Sequence, residues 1–273
     1  MKILKINCRL IYCAVMSLFL LGSLASCGNN NQEPGNDGQT PESDTLANQQ
    51  QNKTWNYENT NWEEMAGSEC ESAVQSPVNI VTNDIIEADL AAIDYEYEPF
   101  AMKIVDNGHT IQVQGTEDSY IAVEGKRYQF RQFHFHYPSE HTINGKTYPM
   151  EMHLVHQEKG TSNLVVIAIF LEEAAQSNEF LQKVLAKIPS EKGNEVLTDV
   201  EITLSDYVPP SQVHYTYIGS LTTPPCTVGI NWIIFTEPVK ASRKQLETFA
   251  NFYNDNARPT QSLNNRRVLK SMK

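Results

Sequence analysis

Gln132-Phe-His-Phe-His136 is followed by Glu140-His141 and then by Glu151-Met-His-Leu-Val-His156. Side chains two apart on a β-strand share a face. His134 and His136 therefore point the same way, while Phe133 and Phe135 point the opposite way into apolar packing. On a second strand, His153 shares a face with Glu151 and Val155. If the two strands are neighbours, three imidazoles converge on one point. Three histidine ligands with a fourth position left open make the donor set of a catalytic zinc site.

Short alternating segments surround this stretch. His109-Thr-Ile-Gln-Val-Gln114, Tyr120-Ile-Ala-Val-Glu124 and Tyr128-Gln-Phe-Arg-Gln-Phe-His134 alternate, and Gly229-Ile-Asn-Trp-Ile-Ile-Phe235 reads as another strand. Leu164 to Leu171 is continuously apolar, as in a strand buried on both faces. Glu124-Gly125 and Asn144-Gly145 are turn signals between strands. Helices are few. One is predicted over residues 177–188, capped by Ser177 or Asn178, with Pro189 just beyond. A second is predicted over residues 242–253, capped by Ser242, with Leu246, Phe249 and Phe252 or Tyr253 inward. The pattern predicts a mainly β (α+β) domain with a large twisted sheet and a few peripheral helices.

The chain of 273 residues suffices for one domain with a full core, and its apolar fraction of 40% fits a globular protein. Residues 1–26 read as an export signal: Lys2, Lys5 and Arg9 precede an apolar run from Leu10 to Leu24 that is short for a membrane span. Leu24-Ala-Ser-Cys27 closes the run as a bacterial lipobox, which predicts cleavage before Cys27 and a lipid anchor on its thiol. Residues 27–53 are polar, lack large apolar side chains and read as a flexible tether. Residues 54–270 form the folded domain. The formal charge is −12, and without the three basic residues of the leader 18 basic face 33 acidic residues, a balance of −15. No nucleic-acid partner is expected, because phosphate binding needs a basic patch.

Cysteine usage agrees with export. Cys8 and Cys13 leave with the leader and Cys27 is taken by lipid, which leaves Cys70 and Cys226. In an oxidising compartment an isolated pair points to one disulfide, the alternative being two free buried thiols. A bridge closing so long a loop would constrain the unfolded chain by about 4–5 kcal/mol in the entropy model.

The chain resembles α-class carbonic anhydrases of the exported bacterial type. The resemblance rests on Trp55-Asn-Tyr57, Gln75-Ser-Pro-Val-Asn-Ile80, Asn107-Gly-His109, the histidine stretches quoted above, Ser139-Glu-His-Thr142, Gly219-Ser-Leu-Thr-Thr-Pro-Pro225, Trp232 and Asn256-Ala-Arg-Pro259. It implies a mostly antiparallel central sheet of about ten strands, a Cys70–Cys226 disulfide, and Zn2+ held by His134, His136 and His153. The implied reaction is reversible hydration of CO2 to bicarbonate and a proton, by attack of zinc-bound hydroxide on CO2. The implied partners are these small molecules and, through Cys27, the membrane of a bacterial cell envelope, on the periplasmic side or at the cell surface. The sequence is compatible with a monomer or an oligomer.

Roles follow by the same resemblance. Thr222 would accept a hydrogen bond from the hydroxide and donate one to Glu140. Thr223 would line the substrate position. Val155, Val166, Leu221 and Trp232 would form the dry wall beside CO2. His109 would shuttle the proton. Gln132 is matched to the partner of His134, Glu151 to that of His153, and Tyr217 to the neighbour of a buried His141. His156 lies on the face opposite His153 and reads as a core histidine, while His214 has no motif context and is placed at the surface or in a loop. Two other classes fit less well. A non-catalytic domain of this type would lack ligand histidines, and a helical zinc hydrolase would carry His-Glu-x-x-His.

Overall fold

Fifteen strands form among the described residues: β1 (Asn79–Ile80), β2 (Ile86–Ala88), β3 (Asp94–Glu96), β4 (Phe100–Asp106), β5 (Ile111–Gln114), β6 (Tyr120–Val123), β7 (Lys126–His136), β8 (Thr142–Ile143), β9 (Met150–Glu158), β10 (Leu164–Ala174), β11 (Glu195–Ile202), β12 (His214–Ser220), β13 (Val228–Phe235), β14 (Val239–Ser242) and β15 (Leu269–Ser271). The computed structural model describes residues 55–58, 61–65 and 67–272. The leader, Cys27 and the tether lie outside the described residues.

Thirteen strands make one sheet. Ten follow the order β11-β4-β5-β7-β9-β10-β13-β12-β15-β2, while β14 pairs with β10, β6 with β7 and β3 with β6. The separate β1–β8 pair is parallel. The sheet is therefore larger than the expected ten strands, and it is mixed: β10–β13, β10–β14 and β15–β2 run parallel. A parallel pair needs a long return path, and the chain between β10 and β13 supplies one through a helix, β11 and β12. The extra strands β2, β3, β14 and β15 have only three or four residues, too few for alternation to mark them.

The sheet buries both faces. Val165, Ile167, Ile169 and Leu171 of β10 join one core with Phe133, Phe135, Met152 and Leu154. Val166, Ala168 and Phe170, pointing the other way, join a second core with Tyr217, Trp232 and Ile234. The continuous apolar run of β10 follows from this double burial.

The helices lie on the first core. Helix α1 (Glu179–Leu185) is shorter than the predicted 177–188. Asn178 is its cap, its side chain accepting from the Leu181 N–H at 2.9 Å, and the chain leaves the helix at Ala186, ahead of Pro189. Helix α2 (Arg243–Ala250) begins with a capping box between Ser242 and Gln245. Tyr253 turns inward and Phe252 outward.

Strands β7 and β9 are antiparallel neighbours, with His134 opposite His153 and His136 opposite Glu151. A register shift between Phe130 and Gln132 interrupts the ladder. One clean alternation through residues 128–134 is thereby corrected. The bulge changes parity, so that Phe130 and Phe133 both enter the first core while Gln132 meets His134. Glu124-Gly125 (φ 51° and 77°) and Asn144-Gly145 (φ 50° and 76°) adopt the left-handed backbone of two-residue hairpin turns. Cys70 and Cys226 are bonded, with Cα atoms 4.9 Å apart, which decides between a bridge and two thiols.

Candidate metal centre

Each of the three converging histidines has one ring nitrogen tied to the protein. His134 Nδ1 donates to Gln132 Oε1 at 2.8 Å, and His136 Nδ1 donates to the backbone carbonyl of Asn256 at 2.8 Å. His153 Nε2 donates to Glu151 Oε1 at 2.7 Å. These partners assign the tautomers. His134 Nε2, His136 Nε2 and His153 Nδ1 are left with lone pairs, and the three rings offer ligand atoms within 4.8 Å of one another. Burial lowers all three pKa values, that of His136 to about 3, and repulsion among the rings adds to it for His134 and His136. The rings are therefore neutral near pH 7, the state a metal requires.

Glu151 anchors a longer chain. Burial acts to raise its pKa, but His141 and His153 outweigh that and hold it well below the usual carboxylate range. It also takes the His141 backbone N–H at 2.8 Å on Oε2 and His141 Nδ1 at 2.7 Å on Oε1. His141 Nε2 accepts from the Tyr217 hydroxyl at 2.8 Å, and Ser76 Oγ lies 2.7 Å beyond it.

Glu140 is buried beside the same point. Its Oε2 lies 3.4 Å from His136 Nε2 and has no hydrogen-bond partner, while its Oε1 accepts the Arg258 backbone N–H at 2.9 Å. Burial pushes its pKa well up, against hydrogen bonds from Thr222 and Arg258. Thr222 is buried in a loop closed by Leu221 N–H to Thr227 O and Cys226 N–H to Thr223 O, each 2.9 Å, and pinned by the disulfide. Thr223 is half-buried next to it.

Val155, Val166 and Trp232 stand side by side across β9, β10 and β13, and Leu221 packs on the same cluster. The Trp232 ring meets His153 edge-on at 4.8 Å between centroids and donates through Nε1 to Ser220 O at 2.9 Å. His109 sits in the turn before β5. Its ring is half-exposed and stacked on Trp55 at 3.7 Å, and its carbonyl accepts from Asn256 Nδ2 at 3.0 Å. Burial and then Lys192 lower its pKa.

The structure places His156 in the first core's packing, held by the Tyr97 hydroxyl at 2.9 Å. His214 is buried at the start of β12, with Nδ1 on the Gln212 carbonyl at 2.7 Å, which corrects the surface placement. Asn256, Arg258, Ser76 and Tyr57, whose hydroxyl is raised by burial and by Glu140, carry no role in the sequence reading. All four stand in the quoted motifs, but Asn256 reaches His136 and Arg258 reaches Glu140 through backbone atoms, which residue type does not reveal.

The donor set fits a metal. Three histidine lone pairs converge with no proton among them, an arrangement that a divalent cation satisfies.

Residues 57–272 match the eukaryotic-type carbonic anhydrase family model. A carbonic anhydrase of Nostoc sp. is 36% identical over 72% of this chain and 76% of its own length. One from Neisseria gonorrhoeae is 37% identical over 71% and 76%. The α-carbonic anhydrase of Thermovibrio ammonificans, solved with the inhibitor sulfanilamide, superimposes with a TM-score of 0.76 at 40% identity, covering 79% of this chain and 98% of that one. A fold, a histidine cluster and a family model that agree over the whole described domain make this chain a member of the α-class carbonic anhydrase family, and an enzyme of that family.

Proposed function

We propose that this chain hydrates CO2 reversibly to bicarbonate and a proton, using a zinc ion held by His134 Nε2, His136 Nε2 and His153 Nδ1. The carrying observation is the meeting of three histidine lone pairs, each ring's other nitrogen donating elsewhere, on β7 and β9. When bound, zinc lowers the pKa of water to about 7, a value taken from carbonic anhydrase itself. Gln132, the Asn256 carbonyl and Glu151 hold the ligand rings in the required tautomers. Thr222 would accept a hydrogen bond from the nucleophilic oxygen that the metal would supply, while its own hydroxyl donates a hydrogen bond to Glu140, which would orient that oxygen toward carbon. Val155, Val166, Leu221 and Trp232 keep water off CO2, and Thr223 borders the substrate. His109 accepts the proton and releases it to buffer; its position on an exposed turn supports this role.

Export and lipidation at Cys27 in a bacterial envelope belong to the same reading, supported by the lipobox and by the disulfide. Globomycin that leaves processing unchanged would defeat the lipid anchor.

The test is stopped-flow CO2 hydration with zinc quantified on the same sample. Rapid hydration that disappears on chelation and returns with zinc is expected. One bound zinc and no hydration above buffer would overturn the proposal.

A further inference from the structure

Arg258 is a buried cation with two arms. Its backbone N–H holds Glu140 Oε1 at 2.9 Å. Its guanidinium reaches the other way, Nη1 donating to Gln75 Oε1 at 2.6 Å and Ser76 O at 2.8 Å, and Nη2 to Cys70 O at 3.5 Å. The plane also lies 5.4 Å from the Trp62 ring centroid.

The atoms it grips belong to a strap, residues 69–76, that secures the Thr222 loop on both flanks. Ahead of Thr222, the Ser76 N–H donates to Ser220 Oγ at 2.9 Å and the Ser220 N–H to Ser76 Oγ at 3.1 Å. Behind it, Cys70 is bonded to Cys226, the Glu69 N–H donates to Pro225 O at 2.8 Å, and the Val228 N–H donates to Glu69 Oε2 at 3.0 Å. One residue therefore contacts Glu140 directly and reaches the Thr222 loop through the strap. A buried guanidinium is costly unless its donors are all used, and its planar fork fixes directions that a lysine cannot.

We propose that Arg258 is a positioning residue: its fork holds the strap that carries Thr222, while its own N–H holds Glu140, so that their hydrogen bond keeps the alignment needed to orient hydroxide. This rests on the reaction proposed above.

The test is a double-mutant cycle in the full chain, zinc-loaded, with Arg258→Lys and Thr222→Val. Arg258→Lys keeps the charge and loses the fork. It is expected to lower kcat/KM about 10- to 100-fold, yet to add no further loss once Thr222 is gone. Zinc affinity of the metal-free protein is expected to stay unchanged. Inhibition by thiocyanate, which has no proton to donate to Thr222, is expected to tighten, an effect that simple destabilisation would not produce. If Arg258→Lys does not fold, Gln75→Met, which loosens the strap and spares Arg258, replaces it with the same expectations. Losses that multiply, or zinc affinity that falls in parallel, would overturn the role of Arg258. An inactive wild type would instead remove the reaction itself, so the two failures are distinguishable.

Discussion

His136 Nε2 and His153 Nδ1 face each other at 3.1 Å, and neither carries the proton that a hydrogen bond between them would need. Their other nitrogens donate elsewhere, so the contact is a meeting of two lone pairs. A cation held between them and His134 removes the repulsion. Zinc at 100 times its Kd should therefore stabilise the protein by about 2.7 kcal/mol, read as a zinc-dependent rise in Tm. No rise would contradict the assignment of the ligands.

Thr222→Ala should leave zinc stoichiometry at the wild-type value and lower kcat/KM by about 100-fold, the cost of misdirecting a reacting atom. Zinc analysis and stopped-flow hydration on one sample check it. Wild-type turnover in this variant would exclude Thr222 from the reaction.

His109→Ala should lower kcat in weak buffer by about 100-fold, with kcat/KM little changed and kcat restored by added imidazole. Because burial and Lys192 lower the His109 pKa, the corresponding inflection in wild-type kcat should fall below 6.5. A loss that no buffer repairs would argue against a shuttle.

His156 supplies a stability prediction away from the histidine cluster. Its pKa is lowered by burial to about 3, against 6.5 for the free side chain. Between those values the unfolded chain binds one more proton than the folded one, so stability falls as pH drops from about 6.5 toward 3, by up to about 1.4 kcal/mol per pH unit. Urea unfolding across this range should show a slope smaller by one proton in His156→Gln. Identical slopes would mean that the ring protonates in place.

Gly219→Ala tests the packing between Tyr217 and the Thr222 loop. A methyl group there would run into Ser76 Oγ and meet Tyr217 Cε2 at 2.8 Å. Ser76 is held on both sides, so it cannot step away freely. A loss of about 1–3 kcal/mol is expected in urea unfolding, and an unchanged midpoint would show that Ser76 yields.

The histidine cluster, the mainly β class, the Ser242 cap and the cysteine pair were written in side-chain chemistry. Histidines two apart on an alternating strand share a face in any fold, and Ser with Gln three residues on names a helix start. What tertiary structure alone decided is of another kind. It set β7 beside β9 in the register that puts His134 across from His153. It inserted the bulge at Arg131 that reverses parity ahead of Gln132, and it ran β13 parallel to β10. It buried His214 and brought the Asn256 carbonyl to His136 and the Arg258 N–H to Glu140. Those last contacts use backbone groups that every residue but proline has in full. Amino-acid type therefore cannot announce them, and only the path of the chain determines where they fall.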